Sequence, residues 1–513
     1  MHADQTPVIV AVGQCVAHLA AQTTSVPSPM DLMAQAARAA LTDSGVASAL
    51  AAAIDTVAAI RYFEHSTRGE AMVAHPFGCA DNVPGALAQR LGLAPRRLVY
   101  ADVGGQTPQR LINRYCAEVA AGETRCALIA GAEAIASIKH ARRNALSPDW
   151  REDVGGDYTD EWASDKLANA YERAHGLYLP LRVYPLFENA ARAQAGRTLE
   201  AHRAYMGAVL APLAQVAAAN PFAQFPVARS AAEIAGVSTE NFLISEPYTK
   251  WMVAQDAVNQ AAAVIVTSLG VARALGIPPS RYAFLRSSAD LDDRNVTERP
   301  DLARSHAQER ALQHALEAAE VGIQDIAHLD LYSCFPIAVT SACAALGLAP
   351  IGGPALTLTG GLPFFGGPGN NYSLHAIAEA IARVRGARHS LALVAANGGY
   401  LSKHSVGIYA GAQNTPWRPT DNTVLARDFA AQPAVAIAAP TTSAAIVESY
   451  VLTLRKGAPE LGYVAARAAG QRLLARPEDG DTATLAALGA DEPIGRPIQV
   501  RHDGQVHRFR FTA

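Results

Sequence analysis

The segment at residues 357–372 reads TLTGGLPFFGGPGNNY and places five glycines and two prolines within ten residues. It follows a short β-type run and opens into a stretch, Ser373 to Ile381, with helical spacing. Glycines are needed where the backbone takes a positive φ or approaches a ligand closely, and a helix N-terminus offers unpaired N–H groups. The segment therefore predicts a strand, a tight loop and a helix start, either as a ligand loop or as a plain β-to-α connection.

Composition limits the classes of protein that fit. The 513 residues suggest roughly three compact units. A net charge of −3 gives no electrostatic reason to expect a nucleic acid or an anionic membrane as partner. The first residues lack the pattern of a secretory signal, and no run of 18 or more apolar residues occurs. The six cysteines show no CxxC pair and no metal-ligand spacing, so we expect reduced thiols in a cytoplasmic protein without a metal.

Three motifs carry a resemblance to the thiolase superfamily. Gly366-Gly367-Pro368-Gly369 resembles the Gly-His-Pro loop of thiolases, with Gly367 in the place of the histidine. Asn220–Phe225, which reads NPFAQF, closely resembles the NPYxQF signature of sterol-carrier-protein-type thiolases. Tyr332-Ser333-Cys334-Phe335 is similar to their HDCF motif, with tyrosine in place of histidine. The resemblance covers roughly residues 6 to 412.

The resemblance implies an α/β fold: two similar βαβ halves in five layers (αβαβα), with an inserted loop domain. Strands and helices alternate along the chain, which predicts a parallel sheet buried on both faces. After residue 418, short β-branched runs and the Asp503-Gly504 hairpin signal predict a small, separate OB-like barrel. We divide the chain into an N-terminal half (1–135, with a return at 253–275), the loop domain (136–252), a C-terminal half (276–418) and the barrel (419–513).

The catalytic groups of thiolases are largely missing. A thiolase needs a nucleophilic cysteine, an activating histidine, a second acid/base thiol and donors for the thioester oxyanion. By the resemblance, these positions are Gly105 for the nucleophile, Gly367 for the histidine and Ala396 for the thiol of the CxG motif. Cys116 lies about three helical turns beyond Gly105, and we interpret it as a packing residue.

Two residues of the third motif remain as candidates for chemistry. Cys334 stands where the related family has its acid/base cysteine, and Tyr332 can donate one hydrogen bond to an oxyanion. Cys334 is equally well explained as a buried residue at the end of a strand. If the helix after the glycine loop points at this thiol, its dipole is expected to lower the thiol pKa.

The glycine loop supplies the candidate ligand contacts, for which a structural role is the alternative. These residues are Gly366, Gly367, Pro368, Gly369, Asn370, Asn371 and, in the following helix, His375. Asn370 and Asn371 are suited to a carbonyl or a pantetheine amide, or to left-handed turns. Arg110, Lys403 and His404 are candidates for a coenzyme A phosphate, or simply solvated charges.

The leading hypothesis is an acyl-CoA-binding protein of acetyl-CoA C-acyltransferase ancestry whose thiolase activity is absent or weak. We expect coenzyme A or an acyl-CoA as a ligand but no permanently bound cofactor, and either a monomer or a homodimer. One alternative is a non-covalent acyl-CoA lyase or hydrolase that uses Cys334 and Tyr332. The other is a non-catalytic scaffold that recruits a partner protein through residues 419–513.

Overall fold

A computed structural model describes residues 3–66, 75–162, 167–413, 416–440 and 442–512. The strands are β1 Pro7–Val16, β2 Thr56–Ala59, β3 Arg97–Tyr100, β4 Cys126–Ala134, β5 Thr159–Asp160, β6 Leu243–Ser245, β7 Tyr248–Thr249, β8 Asn259–Ser268, β9 Phe284–Asp292, β10 Ile326–Leu331, β11 Leu391–Gly398, β12 Lys403–Ala410, β13 Ser443–Arg455, β14 Ala458–Ala468, β15 Gln471–Pro477, β16 Pro497–His502 and β17 His507–Phe511. The helices are α1 Pro29–Asp43, α2 Ala47–Ala53, α3 Val83–Leu91, α4 Thr107–Ala121, α5 Ile135–Arg143, α6 Ala170–Ala174, α7 Tyr184–Gln194, α8 Leu199–Ala219, α9 Ala231–Ala235, α10 Leu269–Ala274, α11 His306–Ala319, α12 Pro336–Leu346, α13 Tyr372–Gly386, α14 Asn422–Ala430 and α15 Thr482–Ala490.

The first sheet has the strand order β1-β8-β4-β2-β3-β5. Strands β2 to β5 are parallel, whereas β8 runs antiparallel to both β1 and β4. The prediction of a purely parallel sheet is therefore wrong, because the chain returns from the inserted region at β8 and enters the sheet from the opposite end. The near-continuous apolar sequences of β4 and β8 match their position in the middle of the sheet, where both faces are buried.

The second sheet has the order β10-β11-β12-β9, in which β10 and β11 are parallel and the other pairs antiparallel. Helices α4 and α13 lie between the two sheets and contact both. Helix α1 covers the outer face of the first sheet, and α11 covers that of the second. The predicted five-layer arrangement is confirmed.

Local signals set the ends of several helices. Ser28 caps α1 through a capping box with Asp31, and the turn after this helix contains Gly45 at φ 79°. Helix α4 ends at Gly122, which has φ 77°. Capping residues of this kind mark in the sequence where a helix begins and where it ends.

The C-terminal strands close into a barrel with the order β13-β14-β15-β17-β16-β13. Helix α15 lies between the third and fourth barrel strands in the chain. Two tight hairpins join barrel strands: Lys456-Gly457 takes positive φ at both positions, and in the predicted Asp503-Gly504 turn Gly504 has φ 101°. A five-stranded barrel with this order and a helix after its third strand is OB-like, which confirms that prediction.

The barrel is fastened to the rest of the molecule by buried polar contacts. Strand β13 pairs with β6 of the inserted region. The guanidinium of Arg472 is fully buried, binds Glu448 and donates to the carbonyl oxygen of Thr297 (3.1 Å). Arg192 forms a two-pronged ion pair with Glu492 (2.6 and 2.8 Å). These contacts hold the barrel against the rest of the molecule, and the residues that form them lie far apart in the chain.

Helix α14 belongs to the second sheet rather than to the barrel. The backbone N–H of Asp290 in β9 donates to the side chain of Asn422 (3.1 Å), and α14 contacts β9 and α11. The first barrel strand begins only at Ser443. The predicted domain boundaries themselves stay a prediction. Among the described residues, no helix combines the length and the apolar character that crossing a membrane requires.

Candidate functional site

The residues singled out by the motifs meet at the carboxyl ends of β10, β11 and β3. Tyr332 and Cys334 follow β10, Gly104 and Gly105 precede α4, and the glycine loop precedes α13. The N–H of Gly104 donates to Asn370 Oδ1 (3.0 Å), and the hydroxyl of Ser373 donates to the carbonyl oxygen of Gly105 (2.6 Å). The fold thus brings the glycine loop and the start of α4 into direct contact.

The position predicted for the nucleophile has no room for a side chain. A Cβ atom on Gly105 would lie 2.5 Å from Cζ of Tyr332 and 2.6 Å from the carbonyl oxygen of Asn397, and closer still to the Tyr332 hydroxyl. Real Cβ atoms essentially never approach neighbours to less than 3.0 Å. Because one of these neighbours is backbone, a rotamer change of Tyr332 alone would not create the space.

The side chain of Gln106 packs against the glycines on either side of this position, Gly104 and Gly398. Its side chain is buried, and its Cδ lies 2.8 Å from where a Cβ of Gly104 or of Gly398 would be. Its Oε1 has no hydrogen-bond partner in the described part of the chain. The sequence analysis missed Gln106, because nothing in its local sequence reveals that it packs against two glycines, one of them in β11.

Cys334 lies beside Asn397 rather than beside Ala396. The side-chain amide of Asn397 is 3.8 Å from the Cys334 sulfur and also donates to the hydroxyl of Tyr184 (3.0 Å). Successive residues of a strand point to opposite faces, so Ala396 of β11 cannot share this position with Asn397. Both Asn397 and Tyr184 were missed by the sequence analysis.

Burial raises the pKa of the Cys334 thiol to about 12, against the hydrogen bonds from Tyr184 and Asn397, which act to lower it. Although part of the residue is exposed, Cys334 packs against the buried core, so desolvation of the thiolate decides the direction of the shift. The expected lowering of this pKa by a helix dipole is therefore wrong. Burial also raises the pKa of Tyr332, and both groups are neutral near pH 7.

The glycine loop is held by the protein itself. The N–H of Gly367 donates to the carbonyl oxygen of Gln255 and that of Gly369 to the carbonyl oxygen of Gly367, both at 2.8 Å. A Cβ on Gly366 would lie 2.8 Å from the Val258 side chain, and Gly366 takes φ 124°. The backbone donors of Gly367 and Gly369 are thus already in use.

No strand leads into this loop, although the sequence predicts one. Residues 355–359 are irregular, and the buried carboxyl of Asp330 accepts hydrogen bonds from the N–H of Leu358 (2.8 Å) and the hydroxyl of Thr357 (3.0 Å). The N–H of Leu358 therefore bonds to a side-chain carboxylate rather than to a strand, although the carbonyl oxygen of Leu356 accepts from the N–H of Leu331 at the end of β10 (2.9 Å). Burial raises the pKa of Asp330 to about 6, with the same hydrogen bonds acting to lower it.

Asn370 and Asn371 join the loop to the first half of the fold. Asn370 donates to the carbonyl oxygen of Arg61 (2.9 Å) and to the hydroxyl of Ser66 (3.1 Å). Asn371 donates to the carbonyl oxygen of Gly131 (2.8 Å). These side-chain amides stabilise the contact between the halves, and their ligand role stays a prediction.

His375 is fully buried inside α13. Its Nδ1 lies 2.8 Å from the side-chain oxygen of Gln14, and its ring contacts Phe365 of the glycine loop edge-on. Burial lowers its pKa to about 3, so the ring is neutral. This environment is that of a residue that ties α13 to β1 and supports the loop from behind.

The candidate phosphate-binding cations are paired within the protein. Arg110 donates to Asp292 (2.6 Å), and Lys403 lies 3.4 Å from Asp102. His404 is buried and contacts the hydroxyl of Ser305 (3.0 Å). Another buried group near the loop, which the sequence did not indicate, is Glu133, whose pKa burial raises and whose side chain accepts from the N–H of Phe63 (2.7 Å).

The NPFAQF motif clamps the loop from the inserted region. The side-chain amide of Asn220 donates to the carbonyl oxygen of Thr359 (3.1 Å), and the N–H of Gln224 donates to the carbonyl oxygen of Phe365 (2.7 Å). The side chain of Gln224 in turn accepts from the N–H of Asn259 (2.8 Å). The motif therefore has a structural task at this site, which explains why it accompanies the glycine loop in the sequence.

The two layered sheets, the inserted region and the glycine loop define a thiolase-fold protein. A family model described as "Thiolase C-terminal domain-like" matches residues 288–411, and one described as "Thiolase-like protein type 1 additional C-terminal domain" matches residues 425–505. A crystal structure of a monomeric SCP2-thiolase like protein type 1 from Mycobacterium smegmatis is 35% identical, covers 100% of both chains and has a TM-score of 0.84. The chain belongs to the SCP2-thiolase-like protein type 1 family.

More distant structures share the fold alone. An acetyl-CoA acetyltransferase from Syntrophomonas wolfei is 14% identical, with a TM-score of 0.55 over 79% of this chain and 99% of that one. An Ltp2-ChsH2(DUF35) aldolase is 18% identical, with a TM-score of 0.55 over 80% of this chain and 98% of that one. No protein with a curated description matches the chain significantly.

Proposed function

We propose that the protein binds an acyl-CoA thioester at the site of Tyr332 and Cys334 and does not catalyse thiolysis. The observation that carries the proposal is the closed position at Gly105, where the Tyr332 side chain and the Asn397 carbonyl oxygen exclude any side chain. Without a nucleophilic side chain at position 105, no acyl-enzyme can form at the start of α4. What remains of the site is a set of neutral polar groups suited to binding.

Three polar groups at this site have no hydrogen-bond partner among the residues that the structure describes. Among the described residues none forms a hydrogen bond with the Tyr332 hydroxyl, and the side-chain oxygens of Gln106 and Asn397 are buried and unpaired. A buried unpaired polar atom costs about 1–3 kcal/mol, which a ligand's hydrogen bond would recover. The amide N–H groups of a pantetheine arm match the two oxygens, and a thioester carbonyl matches the hydroxyl.

Non-covalent lyase or hydrolase chemistry is the second candidate function. The raised pKa of Cys334 keeps its thiol protonated near neutral pH, so the thiol is an acid rather than a nucleophile. Cys334 follows Tyr332 by two residues, so one group could deliver a proton to a carbanion while the other holds the carbonyl oxygen. In a retro-aldol cleavage of a β-hydroxyacyl-CoA, the β-hydroxyl proton passes to solvent as the carbon–carbon bond breaks. Cys334 then protonates the enolate carbon while Tyr332 holds the enolate oxygen, and the thiolate regains a proton from solvent. The products are an aldehyde or ketone and a shorter acyl-CoA.

We also propose that the chain is a monomer, because the relative from Mycobacterium smegmatis is described as monomeric. A partner protein is a separate question. One distant neighbour is described as an Ltp2-ChsH2(DUF35) aldolase, and the barrel of this chain presents its outer surface to solvent. A partner recruited through residues 419–513 would have to contact the side of the barrel that faces solvent, since another side of the barrel is packed against the inserted region.

Calorimetric titration with coenzyme A, acetyl-CoA and a longer acyl-CoA tests the proposal. We expect saturable binding. Tyr332→Phe should weaken the binding of acetyl-CoA by about 2- to 10-fold, which corresponds to the loss of one hydrogen bond, and should weaken the binding of coenzyme A less. Tyr178→Phe, which alters an exposed tyrosine, is the matched control. Absence of binding to all three ligands would refute the proposal and favour the scaffold function. Cleavage of a β-hydroxyacyl-CoA would favour the lyase.

A further inference from the structure

Cys79, His65 and Tyr100 form a second cluster of reactive side chains, separate from Tyr332 and Cys334. The sulfur of Cys79 lies 3.6 Å from Nε2 of His65, and Nδ1 of His65 lies 2.8 Å from the hydroxyl of Tyr100. Cys79 and His65 are both partly exposed. A thiol within hydrogen-bond reach of an imidazole that a third group holds in place is the arrangement of an activated nucleophile.

The fold places this cluster at the same sheet edge as the glycine loop. Tyr100 is the last residue of β3, and His65 lies on a short 3-10 turn, Phe63–Ser66, that follows the neighbouring strand β2. Asn370 contacts both sites, because it accepts from the N–H of Gly104 and donates to the hydroxyl of Ser66. A ligand seated at the glycine loop is therefore close to the turn that carries His65.

A second histidine precedes Cys79 in the chain, and no described residue forms a hydrogen bond with its ring. His75 lies on the turn that leads to Cys79, where the N–H of Gly78 donates to the carbonyl oxygen of His75 (3.0 Å). Its ring is buried, and neither ring nitrogen bonds to any residue that the structure describes. A neutral imidazole N–H without a partner is a donor that a carbonyl oxygen of a bound substrate can use.

The surrounding charges keep the pair neutral at rest. Burial raises the pKa of the Cys79 thiol, and Asp81 and Glu64 add to this shift. Burial lowers the pKa of His65; Arg61 adds to that shift, and Asp160 opposes it. The pair is thus a neutral thiol and a neutral base, and the proton can move to the imidazole as the sulfur attacks. The hydroxyl oxygen of Tyr100 has two lone pairs, one of which accepts from the N–H of Tyr62 (3.1 Å). In the tautomer in which Nδ1–H of His65 donates to the other lone pair, Nε2 is free to act as the base.

We propose that Cys79 accepts the acyl group of a thioester, with His65 as general base and Tyr100 as a positioning residue. The sulfur of Cys79 bonds to the thioester carbonyl carbon, while its proton passes to Nε2 of His65. The carbon–sulfur bond to the coenzyme then breaks, and the coenzyme leaves as a thiol with the proton from His65. The products are S-acyl-Cys79 and free coenzyme A, so no further reactant is needed. The choice of acyl-CoA as donor rests on the proposed function.

Intact-mass measurement of the full chain after incubation with acetyl-CoA, followed by peptide mapping, tests the inference. We expect one acetyl group, on Cys79, that is absent in Cys79→Ser. His65→Gln should slow acetylation by about 100-fold or more, the usual contribution of a general base. His389→Gln, which alters an exposed histidine of the loop before β11, should not change the rate. Tyr100→Phe should slow acetylation and move the acidic limb of its pH profile to lower pH, because Nδ1 of His65 loses its acceptor.

The outcomes separate this inference from the proposed function. If calorimetry detects acetyl-CoA binding but Cys79 stays unmodified, or if His65→Gln reacts as fast as the native protein, the inference is wrong and the proposed function stands. If acetyl-CoA does not bind, p-nitrophenyl acetate replaces it as acyl donor. Preferential acetylation of Cys79 that depends on His65 would then support the reactive pair. Acetylation of Cys334 instead, or of no cysteine, would overturn it.

Discussion

Gly105→Ala should destabilise the protein, because the new methyl group has no space. It would lie 2.6 Å or less from the Asn397 carbonyl oxygen and the Tyr332 ring, and overpacking of this kind costs about 1–3 kcal/mol. Unfolding entropy is about 2.1 cal/mol/K per residue. For a chain of 513 residues that melts as one unit, each kcal/mol corresponds to about 1 °C in Tm.

A double-mutant cycle with Tyr332→Phe assigns the clash to this contact. Tyr332→Phe removes the hydroxyl, which bonds to none of the described residues, so alone it should change Tm little. In the double variant the closest of the clashing atoms is gone, and the loss of stability should be smaller than for Gly105→Ala alone by about 0.5–1.5 kcal/mol. The control is Gly386→Ala at the exposed end of α13, where an added Cβ meets nothing within 4 Å.

Differential scanning calorimetry of the four proteins and the control provides the measurement. Gly386→Ala should be neutral or stabilising by up to about 1 kcal/mol, since alanine is the better helix former. If Gly105→Ala is as well tolerated as Gly386→Ala, the position has room for a side chain, and the reasoning that excludes a nucleophile there fails. Independent effects of Gly105→Ala and Tyr332→Phe would equally contradict the contact.

Three further predictions concern the thiol, the barrel and its attachment. Iodoacetamide at pH 7.5 should modify Cys334 more slowly than an unstructured cysteine, because burial raises the pKa of the Cys334 thiol to about 12. The labelling rate should rise only above pH 9, and fast labelling at pH 7.5 would contradict this prediction. Burial lowers the pKa of His175, which accepts from the barrel N–H of His507, from 6.5 to about 4. The unfolded chain therefore binds a proton that the folded chain resists, and stability should fall as pH drops from about 6.5 to 4; His175→Gln should flatten the Tm profile in that window, and an unchanged profile would refute the assignment. Protease cleavage between residues 411 and 422 should give fragments that still co-elute in gel filtration, since polar contacts such as the ion pair of the buried Arg192 with Glu492 hold the barrel. Separation of the fragments would indicate an independent domain.

Much of the fold could be predicted because its signals are local. The helix that starts at Tyr372, the caps at Ser28 and Gly45, and the hairpin at Asp503-Gly504 each depend on a few adjacent residues. The five-layer arrangement followed from the motif resemblance rather than from periodicity. The direction of β8 could not be predicted, since a buried apolar strand reads the same in a parallel and in an antiparallel pairing.

The site was harder to predict because its geometry depends on distant residues. Gln106 and Asn397 are ordinary polar residues in the sequence, and only the fold places them against Gly105 and Cys334. The predicted direction of the shift in the Cys334 pKa was wrong for a related reason. The sequence reveals a nearby helix start, whose dipole is worth about 0.3–1 kcal/mol, but not the depth of burial, which can shift a pKa by several units.

The barrel attachment shows the same limit. The patterns after residue 418 predict a small OB-like barrel correctly but contain no sign of the surface that it packs against. Arg472 is a charged residue near the start of β15, yet its guanidinium is fully buried and binds backbone carbonyl groups from residues 296–299. A buried arginine is costly unless it is paired, and the sequence does not show which residues pair with it.

We infer that the closed position at Gly105 leaves the thiolase fold of this protein without a covalent route through α4. A thiolysis assay with acetoacetyl-CoA and coenzyme A, both in excess, tests it most directly, since acyl transfer to Cys79 would leave the carbon–carbon bond of the substrate intact. We predict no formation of acetyl-CoA above the uncatalysed background. A turnover of about 1 per second or more, in the ordinary range of enzymes, would contradict the claim.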